Sequence, residues 1–341
     1  MQSRLKPLLQ NNHNTTTTHP TRSAGNPMAV FTPLTRAQLE AFVQPYGLGQ
    51  LLDYQPIIEG SENSNFFVSL EQGEFVLTLI ERGQASELPF FIQLLERLHQ
   101  QNFAVPYAVQ TVDGQTLRQL AGKPALLQPR LSGRHVQQPT PQHCRAVGAW
   151  LAHLHLATTA QPLPRQTDRG LTWMLAQGGQ LIGQLDNGAA TLLRNSLNEI
   201  PALHAALPHL PSANLHGDLF RDNVLFEGEQ LSGVIDFYNA CAGPMLYDLA
   251  IAVNDWCSLD AGELDPERCA ALLAAYAQLR PFSGAEAELW PLLLRIACLR
   301  FWLSRLLASA DYRGHSGQPK DPQQYQQMLA CRWQAVPSLP G

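Results

Sequence analysis

The sequence predicts an α+β chain in two parts, a small β-rich front and a larger, mainly helical back. Three observations predict it. Residues 54–80 alternate short apolar runs with turn-forming clusters. From Pro141 onward, apolar residues recur at helical spacing. A polar, carboxylate-bearing segment, His216-Gly-Asp-Leu-Phe-Arg-Asp-Asn223, interrupts the helical part. Strands first, helices after, and a polar loop in the second part imply two lobes around a cleft.

The elements follow in order. Residues 1–27 carry the low-complexity run Gln10-Asn-Asn-His-Asn-Thr-Thr-Thr-Thr18, punctuated by Pro20 and Pro27. Such a segment buries too little apolar area to offset its ordering entropy, so it reads as a disordered extension. Arg4, Lys6 and Arg22 imitate a transit peptide, but an apolar helical face is missing. Met28-Ala29 reads as an alternative start. Tyr54–Glu59 is predicted as a strand, and Gly60-Ser-Glu-Asn-Ser-Asn65 as a turn-forming loop. Phe66–Leu70 and Phe75–Ile80 form a hairpin through Glu71-Gln-Gly-Glu74. Leu88, Phe91, Leu94, Leu95 and Leu98 make a helical stripe within Ser86–Gln101. Pro124–Gln128 is a buried strand, followed by a connector to Gly133. Helices are then expected over Pro141–Thr158, Ala189–Leu207, Met245–Trp256, Pro266–Leu279, Ala285–Ala308 and Pro322–Trp333. The expected domains are residues 28–130, residues 131–336 and a short tail, 337–341.

Composition excludes several classes. The net charge of −5 leaves no electrostatic footprint for nucleic acid. The longest apolar stretch, Leu289 to Leu307, is broken by Arg295, Arg300 and Arg305, so it reads as a buried or cleft-lining helix and not a membrane span. Six cysteines without a CxxC pair suggest free thiols and a cytoplasmic protein.

The chemistry concentrates in one stretch. Asp218 is followed after five residues by Asn223 and after eighteen by Asp236, which ends the apolar run Val234-Ile-Asp-Phe237. Asp218 is the candidate general base, able to accept a proton from an attacking hydroxyl. Asn223 and Asp236 offer a neutral and a charged oxygen, the ligands a hard cation such as Mg²⁺ prefers. Val224–Phe226 and Leu231–Ile235 are expected as two strands that pin them. Asp222 reads as a local cap, Arg221 as a phosphate contact or a solvated cation, and His216 as an imidazole holding the loop. His155 reads as a structural hydrogen-bonding group.

These strings, with Phe75-Val-Leu-Thr-Leu79, Tyr247-Asp-Leu-Ala250, Asn254-Asp-Trp-Cys257 and Leu299-Arg-Phe-Trp-Leu-Ser-Arg305, carry a resemblance. The chain from Ala29 to Val336 resembles the aminoglycoside phosphotransferase/choline kinase superfamily, whose fold is protein-kinase-like. Within it the chain is similar to the kinase-fold homoserine kinases of bacterial threonine biosynthesis. The resemblance implies transfer of the γ-phosphate of ATP to L-homoserine, with Asp218 as base, Asn223 and Asp236 on Mg²⁺, and Asp248 as a structural carboxylate behind the loop. It also implies adenine packed at the backbone of Gln128 to Leu131, under the small lobe.

One departure needs a physical answer. The lysine that protein kinases carry on the third strand is replaced by Thr78. Mg²⁺ and loop amides around Ser61, Asn63 and Asn65 are expected to carry the phosphates, with Arg82 assisting. An amino-acid acceptor needs an arginine for its carboxylate and an acid for its ammonium. Among Arg295, Arg300 and Arg305 of the apolar helix, Arg300 is the candidate for the first, and Asp255 for the second, with Trp256 as a wall; Arg221 is a further acceptor-site candidate. Other readings are another small-molecule kinase acting on an amino alcohol, sugar or aminoglycoside, a nucleotide-binding pseudokinase, and a metal phosphohydrolase using His216, Asp218 and Asp236.

Overall fold

The computed structural model describes residues 32–57, 63–81, 85–310, 320–334 and 336–340. Ser61 and Arg82, the 1–27 segment and Met28 lie outside the described residues. Helix α1 (Arg36–Val43) starts at Thr35, whose hydroxyl accepts from Gln38 N while the Gln38 side chain returns to Thr35 N. Five antiparallel strands follow: β1 (Leu51–Ile57), β2 (Ser64–Leu70), β3 (Gly73–Leu79), β4 (Arg118–Leu120) and β5 (Lys123–Pro129), in the order β1-β2-β3-β5-β4. Helix α2 (Leu88–Gln100) lies between β3 and β4 in sequence.

Alternation along the strands divides the apolar residues. Leu77, Leu79, Ala125 and Leu127 pack with Leu39, Phe42 and Val43 of α1 in one cluster. The stripe of α2 joins a second, larger cluster that continues through the helical part.

That part contains α3 (Pro141–Thr158), α4 (Leu171–Leu181), α5 (Asn187–Asn198), α6 (Ile200–Ala206), β6 (Ser212–Leu215), β7 (Val224–Glu227), β8 (Gln230–Val234), β9 (Cys241–Pro244), α7 (Met245–Trp256), α8 (Pro266–Leu279), α9 (Gly284–Ala310) and α10 (Pro322–Arg332). The helix expected over Ala189–Leu207 is two helices. Pro201 brings no N–H to continue the ladder, and the chain restarts with it in the first turn of α6. Helix α4 was not expected from its Gln177-Gly178-Gly179 run. A Cβ at Gly178 would sit 2.8 Å from Leu197 Cδ2, so the glycine lets α4 lie against α5.

The connector after β5 is bonded to the helical part. Arg134 and Phe226 exchange two backbone hydrogen bonds of 2.9 Å, and Ser232 Oγ donates to Ser132 O. All six cysteines are free thiols, five of them buried. Among the described residues no helix is long and apolar enough to cross a membrane.

Candidate active site

The site starts where β6 ends. Its partner β9 follows the Asp236 loop in sequence, so the β6–β9 pairing brings the two polar loops together. Gly217 marks the contact: it has φ +76°, and a Cβ there would lie 2.5 Å from Asn239 O. Only glycine satisfies both conditions.

Asp248, in the first turn of α7, is fully buried behind the loop. Its carboxylate accepts from His216 N at 2.7 Å and from Gly217 N at 2.8 Å. His155 Nε2 lies 3.3 Å away, with Tyr276 Oη 2.7 Å from His155 Nδ1. Burial pushes the Asp248 carboxyl up, but the His155 hydrogen bond, the His155 and His216 rings and the Gly217 N–H together hold it below its ordinary range.

The His216 ring ties the two loops. Nδ1 accepts from Asp218 N at 3.2 Å, and Nε2 donates to Ile235 O at 3.0 Å. Burial lowers its pKa against the opposing pull of Asp248, so the ring is neutral and the proton sits on Nε2. The hairpin of β7 and β8 completes the cluster. Val224 pairs with Val234, and Ile235 N donates to Asn223 O, which places Asn223 beside the residue preceding Asp236. Asp236 is left-handed, with φ 62°. Asn223 Nδ2 donates to Asp218 O at 2.8 Å, so Oδ1 is the atom it offers a cation.

Burial is the main reason Asp218 is pushed up to about 7; Arg300 opposes it, and the nearby charges of Asp236 and Asp222 add to it. Asn239 Nδ2 donates to Asp218 Oδ2 at 3.4 Å, and Arg300 Nη1 lies 3.9 Å from Oδ1. Arg300, from α9, is 3% exposed, donates to Asn239 Oδ1 at 3.0 Å and stacks 3.9 Å from the Phe301 ring centroid. The other two arginines of α9 are engaged elsewhere: Arg295 on Glu199, Arg305 on Asp321 O and Gln324.

Two expectations for the acceptor side require correction. Trp256 is fully buried and donates from Nε1 to Leu219 O at 2.9 Å, so it props the loop from beneath and walls no cleft. Asp255 is already engaged by Arg221, through N at 2.8 Å and Nε at 3.2 Å. Burial raises its pKa and Arg221 draws it down. Arg221 also donates to Gln137 O, so it is held at the loop while its side chain stays partly exposed. Asp222 accepts from Lys320 Nζ at 2.6 Å rather than capping the loop.

In the sheet, Thr78 is buried and its hydroxyl donates to Asn65 Oδ1 at 2.8 Å, with Gln128 Oε1 3.5 Å away. Gln128 Nε2 donates to Pro106 O, and Asn63 Oδ1 accepts from Glu81 N. Leu131 packs on Gly233 of β8. The lysine of this region, Lys123, bonds Glu81 and Thr32 Oγ1.

Asn239 and Arg165 escaped the sequence reading. Asn239 lies three residues past Asp236, two beyond the string that carried the resemblance. Arg165 stands alone between Pro164 and Gln166, with no pattern around it. It donates to Ala240 O at 2.7 Å, approaches Glu87 at 3.4 Å, and lies 4.9 Å from the Phe91 ring centroid.

The chain is similar to known proteins. The phosphotransferase enzyme family matches residues 53–282. A homoserine kinase of Pseudomonas aeruginosa is 59% identical over 313 residues, which cover 92% of this chain and 99% of that protein. One from Methylobacillus flagellatus is 40% identical, over 89% of this chain and 94% of its own length. Among solved structures, an amicoumacin kinase with AMP-PNP and Ca²⁺ aligns with TM-score 0.64 at 16% identity, covering 87% of this chain and 92% of that one. A spectinomycin phosphotransferase with ADP aligns at 0.57 and 14%, covering 88% and 94%. At those identities the likeness concerns the fold: a five-stranded antiparallel sheet followed by a mainly helical region.

Proposed function

The chain belongs to the phosphotransferase enzyme family and, within it, to the homoserine kinases, and from that premise we propose how its residues divide the work. The reaction phosphorylates the side-chain hydroxyl of L-homoserine in threonine biosynthesis, giving O-phospho-L-homoserine. We take ATP as donor and Asp218 as the base. The observation that carries the assignment is the convergence of Asp218, Asn223 and Asp236 through one neutral imidazole, His216, bonded to Asp218 N and Ile235 O.

Asp218 accepts the hydroxyl proton as the acceptor oxygen bonds to phosphorus. Asn223 and Asp236 fit Mg²⁺: one neutral and one charged oxygen, with the amide nitrogen of Asn223 already occupied. Mg²⁺, when bound, neutralises phosphate charge. Arg300 suits the acceptor carboxylate, being a buried guanidinium next to the base. This favours an amino acid over an aminoglycoside. Arg221 and Asp255 brace the loop as a pair.

Residues 28–130 form the nucleotide-binding lobe in this reading, 131–336 the catalytic lobe and 337–341 a tail. Adenine packs near the backbone of Gln128 to Leu131. Asn63 and Asn65 lie at the phosphate end of the sheet beside Thr78. Free, mostly buried thiols agree with a cytoplasmic location.

The test measures ATP consumption by purified protein with homoserine, serine, choline and an aminoglycoside. Homoserine-dependent turnover is expected, reduced by about 10³-fold in Asp218→Asn without loss of folding. Equal turnover in Asp218→Asn would remove the base assignment.

A further inference from the structure

Two groups meet the Asp218 carboxylate, Arg300 and Asn239, and the second has no role in the scheme above. Asn239 stands between Asp218 and Arg300: Oδ1 accepts from Arg300 Nη2 at 3.0 Å, and Nδ2 donates to Asp218 Oδ2 at 3.4 Å. Its amide can face only one way, because a guanidinium has donors and no acceptor. The nitrogen must therefore point toward Asp218. The backbone of Asn239 is fixed as well, its carbonyl lying against Gly217 where a Cβ would be 2.5 Å away. The amide thus sits on a turn locked to the loop that carries the base.

We propose that Asn239 is a positioning residue that holds Asp218 and Arg300 apart while bonding to both, leaving Asp218 Oδ1 open for the acceptor hydroxyl and the guanidinium open for the acceptor carboxylate. The inference rests on the assignment of Asp218 as base. The separation it maintains is 3.9 Å between Arg300 Nη1 and Asp218 Oδ1, too long for a hydrogen bond. Without the spacer, a buried guanidinium and a carboxylate at that range close into a direct ion pair. The pair would occupy both the oxygen that takes the proton and the cation that holds the substrate. With the spacer, Oδ2 is oriented by an N–H donor and Oδ1 accepts the proton as the new P–O bond forms and the β,γ-bridging bond of ATP breaks.

The chemistry of the amide predicts an unusual order of severity. Aspartate matches asparagine in shape, so a steric role makes Asn239→Asp mild and Asn239→Ala severe. A role through the amide donor and the charge balance reverses this. Asn239→Asp removes the donor, sets a second anion against Asp218 and captures Arg300, whereas Asn239→Ala lets Arg300 and Asp218 close into a pair that the acceptor carboxylate competes to reopen.

The experiment uses the full chain with Mg²⁺, ATP and L-homoserine. Homoserine-dependent turnover by the wild type establishes the parent reading, and its absence would overturn that reading by itself. With turnover present, kcat is expected to fall about 10-fold in Asn239→Ala and about 100-fold in Asn239→Asp. KM for homoserine should rise in both, and KM for ATP should stay within about twofold of wild type. Wild-type kcat in Asn239→Asp, the opposite order of severity, or a parallel rise in KM for ATP would overturn the proposal. If Asn239→Ala does not fold, the isosteric Asn239→Asp carries the test alone, with its kcat and the two KM values as the readout.

Discussion

As the proposed base, Asp218 has to be ionised to accept a proton, and burial raises its pKa to about 7. Activity is therefore present above that value and lost as the pH falls through it. The acid limb of kcat/KM for homoserine is expected at or below about pH 7, since a cation at Asp236 draws it down. A limb well above neutrality in a pH–rate profile would contradict the site. Asp248 has the opposite sign. Its folded pKa lies below its unfolded one, so its stabilisation is complete above the ordinary carboxylate range and disappears as pH falls through the lower folded value. Asp248→Ala should cost about 3 kcal/mol or more at pH 7, read from urea midpoints, because it leaves buried donors without their acceptor. The difference from wild type should shrink only below about pH 4. At this scale the proposed base and cation ligands were legible as one group because all three lie in one short stretch with fixed spacing. Asn239 and Arg300 were harder. Nothing local distinguishes an asparagine that spaces two charges from one in a turn, and Arg300 is one of three arginines on the same helix, distinguished only by which way it faces.

Elements explain the misjudged acceptor wall. Successive residues on a helix point about 100° apart, so Asp255 and Trp256 of α7 cannot both line one cleft. Asp255 turns to Arg221 at the loop, and Trp256 turns inward to Leu219 O. Trp256→Phe should lower stability by about 1 kcal/mol, the net worth of one buried hydrogen bond, seen as a lower melting temperature. It should also lower kcat while leaving KM for homoserine unchanged; a large rise in that KM would restore Trp256 to the acceptor site. The helices with strong signals, α3, α7 and α8, were read with the observed ends because proline and capping residues mark them. Asp265 accepts from Glu267 N and Arg268 N ahead of Pro266, and Thr140 caps α3 ahead of Pro141. Helices α1 and α4 and the short strands β4, β6 and β9 were missed. A glycine-rich helix has a weak apolar period, and strands of three or four residues are defined by their partners and not by their own pattern.

On the scale of the whole molecule, the two parts meet through the connector, through α2 and through Arg165. Arg165 reaches Glu87 ahead of α2 from one side and Ala240 O, next to the Asp236 loop, from the other. In protein kinases a third-strand lysine pairs with a helix glutamate; here the third strand carries Thr78, and Arg165 lies beside Glu87, just ahead of α2. Arg165→Ala is expected to raise KM for ATP several-fold, roughly the effect of losing 1 kcal/mol of positioning, with KM for homoserine little changed. Initial-rate kinetics at varied ATP would check this, and an unchanged KM for ATP would separate Arg165 from nucleotide binding. The two-part architecture was visible from the change of hydrophobic period, but the way the parts join was not, because it depends on which core each element enters. The stripe of α2 belongs to the larger core, whereas the sheet keeps a private core with α1. The boundary between the two cores therefore runs between the sheet and α2, not along the chain near residue 130. An opening that keeps both cores intact is expected to carry the sheet together with α1 and to leave α2 with the helical part.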